Sequence, residues 1–361
     1  MKNKIKNYII SIGFATILIV TLIANIIIED KKISNTERRK LAQFPEITTQ
    51  KILNGDVTEK WEDYVIDQFV GRDVFRSIKS FCSTKIFRQK DNNNLFEIDG
   101  GIYKIDYPLN SYNLNKTLEK INAVYEKYLQ GMNVYYAVIP DKNYYLENDD
   151  HLKIDYKDLI HNIQNTLIDF TYIDIWDSLT LEDFYKTDMH WKQENLEKVV
   201  SKIQNEMKID TTEKPEYVLN SKGDFYGTYY GQLGKKLKPD TMYILTNDII
   251  ESCVTYNYET NKNGKIYTES KTSDKYDIYL EGATPLIEIK NENAKSDKEL
   301  LMFRDSFGSS IAPLLIGNYK KITLIDIRYI SSNLLEQYIE FKNQDVLFLY
   351  STLVMGQNIL K

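Results

Sequence analysis

Residues 300–315 read LLMFRDSFGSSIAPLL, and this stretch decides the predicted fold. The apolar run Leu300–Phe303 predicts a buried strand, and the apolar spacing from Ile311 to Leu315 predicts a helix after it. Ser306 stands where the strand would turn into the helix. In an α/β fold such a turn lies at the carboxyl edge of the sheet, where these folds place their functional sites.

The flanking sequence repeats this alternation of strands and helices. Short apolar runs predict further strands at Val134–Ile139, Phe170–Ile175, Ile322–Ile327 and Val346–Tyr350. Apolar residues at helical spacing predict helices over 111–129, Tyr156–Ile168 and Lys192–Met207. We therefore predict an α/β domain over 111–361, with a parallel sheet flanked by helices.

One stretch departs from this alternation. Residues 241–289 are rich in tyrosine and β-branched residues, and they contain the hairpin signal Asn263-Gly264. We predict that they form an antiparallel β insertion.

The N-terminus predicts a membrane anchor. Three lysines within 1–7 precede the uncharged apolar run Tyr8–Ile28, which matches the ~20 residues needed to cross the hydrocarbon core. No small-residue cleavage site follows, and long downstream domains translocate largely regardless of flanking charge. We predict a cytoplasmic tail at 1–7, a single-pass signal anchor in the cell membrane at 8–28 and an extracytoplasmic domain.

A juxtamembrane segment over 29–110 is predicted to join the anchor to the domain. Helical spacing runs from Asp56 to Lys90, and Asp91-Asn92-Asn93-Asn94 ends it. Asp99-Gly100-Gly101 between short apolar runs predicts a hairpin.

Composition excludes some functions. A net charge of -6 gives no basic footprint for nucleic acid. The 28 tyrosines suit sugar-stacking surfaces or simply reflect biased codon usage. The two cysteines, Cys82 and Cys253, allow at most one disulfide within the chain. His151, His161 and His190 are too few and too scattered to predict a histidine-based metal site, and we expect neither a metal nor a cofactor.

Ser306 is a candidate nucleophile. Backbone N–H groups at the start of a helix stabilise an oxyanion, and the neighbouring Arg304 is a candidate to assist them. Because Arg304 stands where a glycine would be required, the block differs from the G-x-S-x-G elbow. On spacing alone, Ser306 or Ser309 serves equally well as a helix cap.

Asp188 and His190 are candidates for activating that serine. Side chains two residues apart in extended backbone point to the same side, so the carboxylate can orient the imidazole as a general base. The alternative is an aspartate that caps the predicted helix at Lys192, beside an incidental histidine. His151 and His161 lie in a charged loop and a helix, which makes them poorer candidates.

Two further motifs supply candidate substrate contacts. Pro140-Asp141-Lys142 follows a predicted strand directly, and it is either an ordinary turn or a source of Lys142 for the substrate. Residues 224–231 read DFYGTYYG, in which Tyr226 and Tyr229 form either a platform for sugar or a surface loop with packed tyrosines.

Together these motifs resemble the DHHW family and the alginate O-acetyltransferases, both of which are SGNH-like. The family tetrad stands here as Asp188-Met189-His190-Trp191, and the Ser306 block is similar to the family's nucleophile block. The Asp-x-His motif precedes the serine, which is the order of those acetyltransferases. Weaker similarities, within a resemblance that spans roughly residues 33–350, are Glu37-Arg38-Arg39 to Pro45, Asp67-Gln68-Phe69 to Arg72-Asp73, Pro140-Asp141-Lys142, Tyr226-Gly227 and Asp326-Ile327-Arg328-Tyr329.

The resemblance implies Ser306 as nucleophile, His190 as base and Asp188 as the residue that orients it. It implies an O-acetyltransferase that moves acetyl through an acyl-serine to hydroxyls of a cell-surface or exported polysaccharide, with a membrane-bound O-acyltransferase partner delivering the acetyl group. The glycine and asparagine oxyanion donors of standard SGNH enzymes have no clear match.

Two alternatives remain at this point. A carbohydrate acetylesterase would use the same three residues with water as acceptor. A non-catalytic polysaccharide-binding protein would keep the fold, and it predicts that the three side chains lie beyond hydrogen-bond distance.

Overall fold

The chain forms two compact units. The structure, a computed structural model, describes residues 2–34, 36–37, 39–147, 151–209, 215–270, 272 and 274–361. Arg38, part of one weak similarity, and Lys271 and Ser273, within the predicted insertion, lie outside the described residues. One unit comprises Met1–Asn92 with Tyr230–Lys236, and the other comprises Asn93–Tyr229 with Leu237–Lys361.

The first unit begins with a long apolar helix. Its segment Lys4–Ile27 is long and apolar enough to cross a membrane, which agrees with the predicted anchor. The elements of this unit before the division are α1 (Lys2–Ile27), β1 (Ile33–Ser34), β2 (Arg39–Lys40), α2 (Thr49–Leu53), α3 (Asp56–Gln68), α4 (Arg72–Phe81) and a π-helical turn at Cys82–Ile86.

The helical spacing over Asp56–Lys90 does not correspond to one continuous helix. The chain forms α3 and α4 instead, separated at Gly71, which has a left-handed φ of 78°. Glycine adopts this conformation without steric cost. Apolar spacing continues across the break, so periodicity alone does not reveal it.

The second unit contains an eight-stranded sheet and the helices around it. Its elements, with α8 crossing the division between the units, are β3 (Leu95–Ile98), β4 (Gly101–Lys104), α5 (Ser111–Val124), β5 (Val134–Ile139), α6 (Tyr156–Thr166), β6 (Thr171–Tyr172), α7 (Glu197–Glu206), β7 (Val218–Phe225), α8 (Thr228–Leu233), β8 (Asp240–Thr246), α9 (Asp248–Ser252), β9 (Val254–Asn257), β10 (Lys262–Gly264), β11 (Leu286–Lys290), β12 (Glu299–Arg304), α10 (Ser306–Leu315), β13 (Lys321–Ile325), β14 (Asp345–Ser351) and α11 (Thr352–Met355).

The strand order confirms the predicted α/β class. The sheet runs β10-β9-β11-β13-β12-β14-β5-β6. Strands β13, β12, β14, β5 and β6 are parallel, whereas β11, β9 and β10 extend the sheet antiparallel. The central strands are buried along almost their whole length, which explains their continuous apolar sequences.

Antiparallel strands occur where the insertion was predicted, but the predicted hairpin turn is wrong. Asn263 and Gly264 lie inside β10, and the chain reverses within 258–261, where Asn261 has a left-handed φ of 55°. The Asn257 side chain accepts the N–H groups of Glu259 and Thr260 at 3.0 and 3.3 Å. This local bonding outweighs the Asn-Gly signal.

The predicted helix over Lys192–Met207 is also shorter than expected. A 3₁₀ turn occupies Gln193–Asn195, and α7 begins only at Glu197. Asp188 is therefore too far along the chain to cap α7, and that interpretation of Asp188 is wrong.

The parallel strands bring distant segments to one edge of the sheet. β12, β14 and β5 are neighbours, and their carboxyl ends lead into Ser306, Thr352 and Pro140. This edge is where ligands bind in open α/β sheets.

We expect Phe303→Ala to destabilise this unit strongly. The Phe303 ring is fully buried and stacks on Phe348 with a centroid distance of 4.3 Å. Removing a buried phenylalanine typically costs about 3–5 kcal/mol. Chemical unfolding of the full chain in detergent measures the change, and Leu334→Ala, at a side chain that is 41% exposed, is the near-neutral control. Equal stabilities of the two variants would contradict the assigned core.

Candidate active site

Asp305 positions Ser306 at the end of β12. Its Oδ1 accepts the Phe307 N–H at 3.0 Å and so caps α10, while Oδ2 accepts the Ser351 N–H at 2.8 Å. Asp305 is therefore the cap, and the interpretation of Ser306 or Ser309 as the cap is wrong. The carboxylate ties the end of β12 to the end of β14, and Ser306 remains half-buried at the turn.

Ser306, His190 and Asp188 form a chain of hydrogen bonds. The His190 Nε2 lies 2.7 Å from Ser306 Oγ, and His190 Nδ1 lies 2.5 Å from Asp188 Oδ1. An ionised carboxylate only accepts hydrogen bonds, so Nδ1 carries the proton and Nε2 accepts the serine hydroxyl. The non-catalytic alternative required these side chains to lie apart, and its prediction is not met.

Asp188 is fully buried, and backbone groups satisfy its carboxylate. Oδ1 also accepts the His190 N–H at 3.0 Å, and Oδ2 accepts the Thr228 N–H at 2.6 Å. Burial alone would raise the pKa of Asp188, but the His190 imidazole and these N–H groups hold that pKa below its ordinary value. The carboxylate is therefore ionised at neutral pH.

Gly227 allows the Thr228 N–H to approach. A Cβ atom at position 227 would lie 2.3 Å from both the Asp188 Cβ and the Thr187 carbonyl oxygen. The Gly227 N–H donates to Thr187 Oγ1 at 2.9 Å. A side chain at this position is therefore incompatible with the contact.

Asp240 holds the backbone that precedes Asp188. Its carboxylate accepts the N–H groups of Lys186 and Thr187, each at 2.8 Å, and the Thr187 hydroxyl at 2.6 Å. Asp240 begins β8, and Thr228 lies three residues after the end of its partner strand β7, so this end of the strand pair contacts residues 186–188.

Tyr276 and Ser310 fix the imidazole from its other side. The Tyr276 ring stacks on His190 with a centroid distance of 3.9 Å. Ser310 Oγ accepts hydrogen bonds from the Tyr276 hydroxyl and from Trp191 Nε1, each at 2.8 Å, and donates to the Phe307 carbonyl at 3.1 Å. One hydroxyl thus links α10 to the His190 segment.

The start of α10 supplies one candidate oxyanion donor. The N–H groups of Phe307 and Gly308 are occupied by Asp305, at 3.0 and 3.1 Å. Within the described part of the chain, the Ser306 N–H donates to no acceptor. Arg304 is fully buried, and its guanidinium lies against Thr284 and 3.6 Å from Asp326.

Lys142 is buried against the backbone of residues 185–186, just before Asp188, and is not exposed on the surface. Its Nζ donates to the carbonyl oxygens of Tyr185 and Lys186 at 2.9 and 3.2 Å, and it lies 5.4 Å from the centre of the Tyr229 ring. Burial lowers the pKa of Lys142 to about 7, although the nearby carboxylates of Asp188 and Asp240 act in the opposite direction. Lys142 and Tyr229 line a small cavity together with Met189.

The two candidate tyrosines of residues 224–231 differ in burial. Tyr229 is buried and offers no face to a polymer, whereas Tyr226 is exposed.

Both cysteines are free, and burial raises the pKa of Cys253 to about 11.

Sequence reasoning missed Thr228, Asp240, Tyr276 and Ser310. The glycine of the Tyr226-Gly227 motif was a usable signal, because a glycine beside a predicted site often allows a close backbone approach. Asp240 and Tyr276 lie in stretches with no distinguishing pattern, so their roles come only from the fold.

Several solved structures are similar to the chain. A DHHW family protein from Eubacterium siraeum has a TM-score of 0.61 and 21% identity, over 74% of this chain and 94% of that chain. Bacillus cereus PatB1 with a sulfonyl adduct has a TM-score of 0.56 and 20% identity, over 74% and 97%. The O-acetyltransferase domain of Pseudomonas putida AlgJ has a TM-score of 0.45 and 9% identity, over 72% and 90%.

No family model and no curated protein matches the chain. The similarity to the E. siraeum and B. cereus structures shows that this chain shares their fold, as the resemblance to the DHHW family implied.

We expect Gly227→Ala to misalign the site. The added methyl group would displace Asp188 or the Thr228 N–H, and a 1 Å misplacement can cost ~10²-fold in rate. The measurement is the rate at which a sulfonyl fluoride labels Ser306 in the full chain, followed by mass spectrometry. Gly356→Ala is the matched control, since a Cβ there would lie 3.8 Å from its nearest neighbour. Labelling at the unaltered rate would contradict this reading of Gly227.

We expect Lys142 to make the stability of the chain depend on pH. Folding lowers its pKa from 10.5 to about 7, so the unfolded state binds more protons between those values. The free energy of unfolding should therefore rise with pH across that window, by up to about 1.4 kcal/mol per pH unit. Lys142→Met should flatten the rise, and the exposed control Lys157→Met should not. The measurement is the free energy of unfolding in urea at several pH values between 7 and 10. If this free energy depends on pH equally in the two variants, the expectation is wrong.

Proposed function

We propose that the chain is a membrane-anchored serine O-acetyltransferase that acts on a polysaccharide. The single observation that carries the proposal is the 2.7 Å contact between His190 Nε2 and Ser306 Oγ, with Asp188 bonded to the other ring nitrogen. A serine hydroxyl becomes a useful nucleophile only when a neighbouring base accepts its proton, and this arrangement supplies that base.

The first half-reaction forms an acetyl-serine. Ser306 Oγ attacks the carbonyl carbon of an acetyl donor while its proton passes to His190 Nε2. The negative charge that develops on the carbonyl oxygen faces the start of α10, where the Ser306 N–H is a free donor within the described residues. The tetrahedral adduct then expels the donor's leaving group, which takes the proton from His190.

The second half-reaction transfers the acetyl group. A sugar hydroxyl gives its proton to His190 Nε2 and attacks the acetyl-serine carbonyl. The bond to Ser306 Oγ breaks, and that oxygen recovers the proton. Asp188 stays ionised throughout and stabilises the imidazolium that forms in each step.

The proposed membrane location is supported by α1. The segment Lys4–Ile27 acts as an uncleaved signal anchor, so the second unit lies outside the cytoplasm. There the acceptor is a cell-surface or exported polysaccharide. The DHHW-type resemblance adds a membrane-bound O-acyltransferase as the partner that supplies acetyl.

The reactivity proposed for Ser306 is of a kind seen in a protein of the same fold. One structure of Bacillus cereus PatB1 contains a sulfonyl adduct. Sulfonyl reagents modify activated nucleophiles, so the same chemistry is a direct probe of Ser306.

Ser306→Ala should abolish both labelling by sulfonyl fluoride and acetylation of the polymer. Loss of a nucleophile in a serine triad typically costs more than ~10³-fold in rate. Ser309→Ala, at a buried serine in the same helix, is the matched control and should retain acetylation. The measurement is the acetate that mild alkali releases from the surface polymer of cells carrying each variant. An unchanged acetate content with Ser306→Ala would end the proposal.

Hydrolysis is the second candidate, because the half-buried Ser306 is accessible to water. Purified full-length protein given an acetyl ester with and without a glycan acceptor separates the two reactions. Acetylated glycan supports transfer, whereas free acetate as the sole product supports an acetylesterase.

A further inference from the structure

Helix α4 in the first unit has its polar side inward and its apolar side outward. Arg72 and Arg76 are only 14% and 18% exposed. The large apolar side chains of the opposite face are exposed by 51–62%, and they are Val74, Phe75, Ile78 and Phe81. A helix of a water-soluble protein normally shows the reverse arrangement.

Ion pairs fix this orientation. Glu37 pairs with Arg72 and, at 3.2 Å, with Arg76, while Asp67 lies 3.4 Å from Arg72. Arg76 also donates to the Gly231 carbonyl at 2.8 Å. Turning the apolar face inward would break these pairs and leave half-buried charges without partners, which is strongly unfavourable.

Two further hydrogen bonds set the position of the chain before α4 relative to the end of α1. The Val70 N–H donates to Asn25 Oδ1 at 2.9 Å, and Gln68 Oε1 accepts the Lys31 N–H at 2.9 Å. Asn25 lies in the last turn of α1, and α4 begins two residues after Val70. The exposed apolar face therefore starts beside the end of the proposed membrane span.

We propose that α4 and the turn that follows it lie in the interface of the phospholipid bilayer, with the apolar face towards the acyl chains. This inference rests on α1 crossing the membrane, and it is independent of the chemistry at Ser306. The apolar surface continues through Ile86 and Phe87, which are exposed by 59% and 71%.

The charges near this surface suit a bilayer of anionic lipid. Exposed basic side chains accompany the apolar face, and they are Lys79, Lys85, Arg88 and Lys90. Interfacial helices combine basic side chains at headgroup level with large apolar side chains about 5–10 Å deep. Helix α4 has both features, and its inward ion pairs leave the apolar face available.

Quenching by brominated lipid tests the proposal. The full chain is reconstituted in vesicles of phosphatidylcholine and phosphatidylglycerol with brominated acyl chains, in a Trp61→Phe background. The two remaining tryptophans, Trp176 and Trp191, are buried. The reporter Phe75→Trp should lose most of its added emission to the brominated lipid and little to aqueous iodide. Phe14→Trp, within α1, is the positive control for the span.

Two substitutions that each introduce a charge test whether the apolar face is needed for contact with lipid. In the Phe75→Trp reporter, Ile78→Asp should sharply reduce quenching by the lipid, whereas Ser77→Asp, outside the apolar stripe, should not. If brominated lipid quenches Phe14→Trp but not Phe75→Trp, the proposal is wrong. It is also wrong if neither lipid nor iodide quenches Phe75→Trp, because a second copy of the chain then covers the apolar face. If Phe14→Trp is not quenched, α1 does not span and the proposal fails with it. Polymer acetylation is measured separately, so neither outcome is confused with failure of the Ser306 chemistry.

Discussion

The structure around the candidate site depends on one buried charge, the carboxylate of Asp188. Such a charge is costly away from water unless hydrogen bonds compensate it. The N–H groups of His190 and Thr228 meet that requirement, and Thr228 reaches the carboxylate because Gly227 has no side chain. The bonds that stabilise the charge also set the orientation of the imidazole, so stability and alignment have the same physical origin.

The parts of the fold that were predictable from the sequence are those written in local patterns. Strands covered on both faces, such as Val134–Ile139, leave continuous apolar runs, and the two-residue spacing of Asp188 and His190 is local as well. Thr228 and Asp240 contact the Asp188 segment across 40 and 53 residues of chain, and no periodicity encodes such contacts. The break at Gly71 was missed because apolar spacing continues across a single left-handed residue.

The two units differ in where their helices place apolar side chains. In the second unit, the sheet and its helices bury their apolar faces in one large core. In the first unit, Arg72 and Arg76 face inward and Phe75 and Phe81 face outward. Sequence periodicity reports that polar and apolar residues are segregated on a helix, but not which side faces the protein. That choice depends on the partners available, here Glu37 and Asp67.

The hydroxyl of Ser310 has a consequence for how this site can change over evolutionary time. It is the shared acceptor for Trp191 and Tyr276 and bonds back to its own helix through the Phe307 carbonyl. Loss of that oxygen would strand two donors in a dry interior at once. We therefore expect single substitutions at these three positions to be tolerated less well than combined ones, although Trp191 lies far from Ser310 and Tyr276 in the chain.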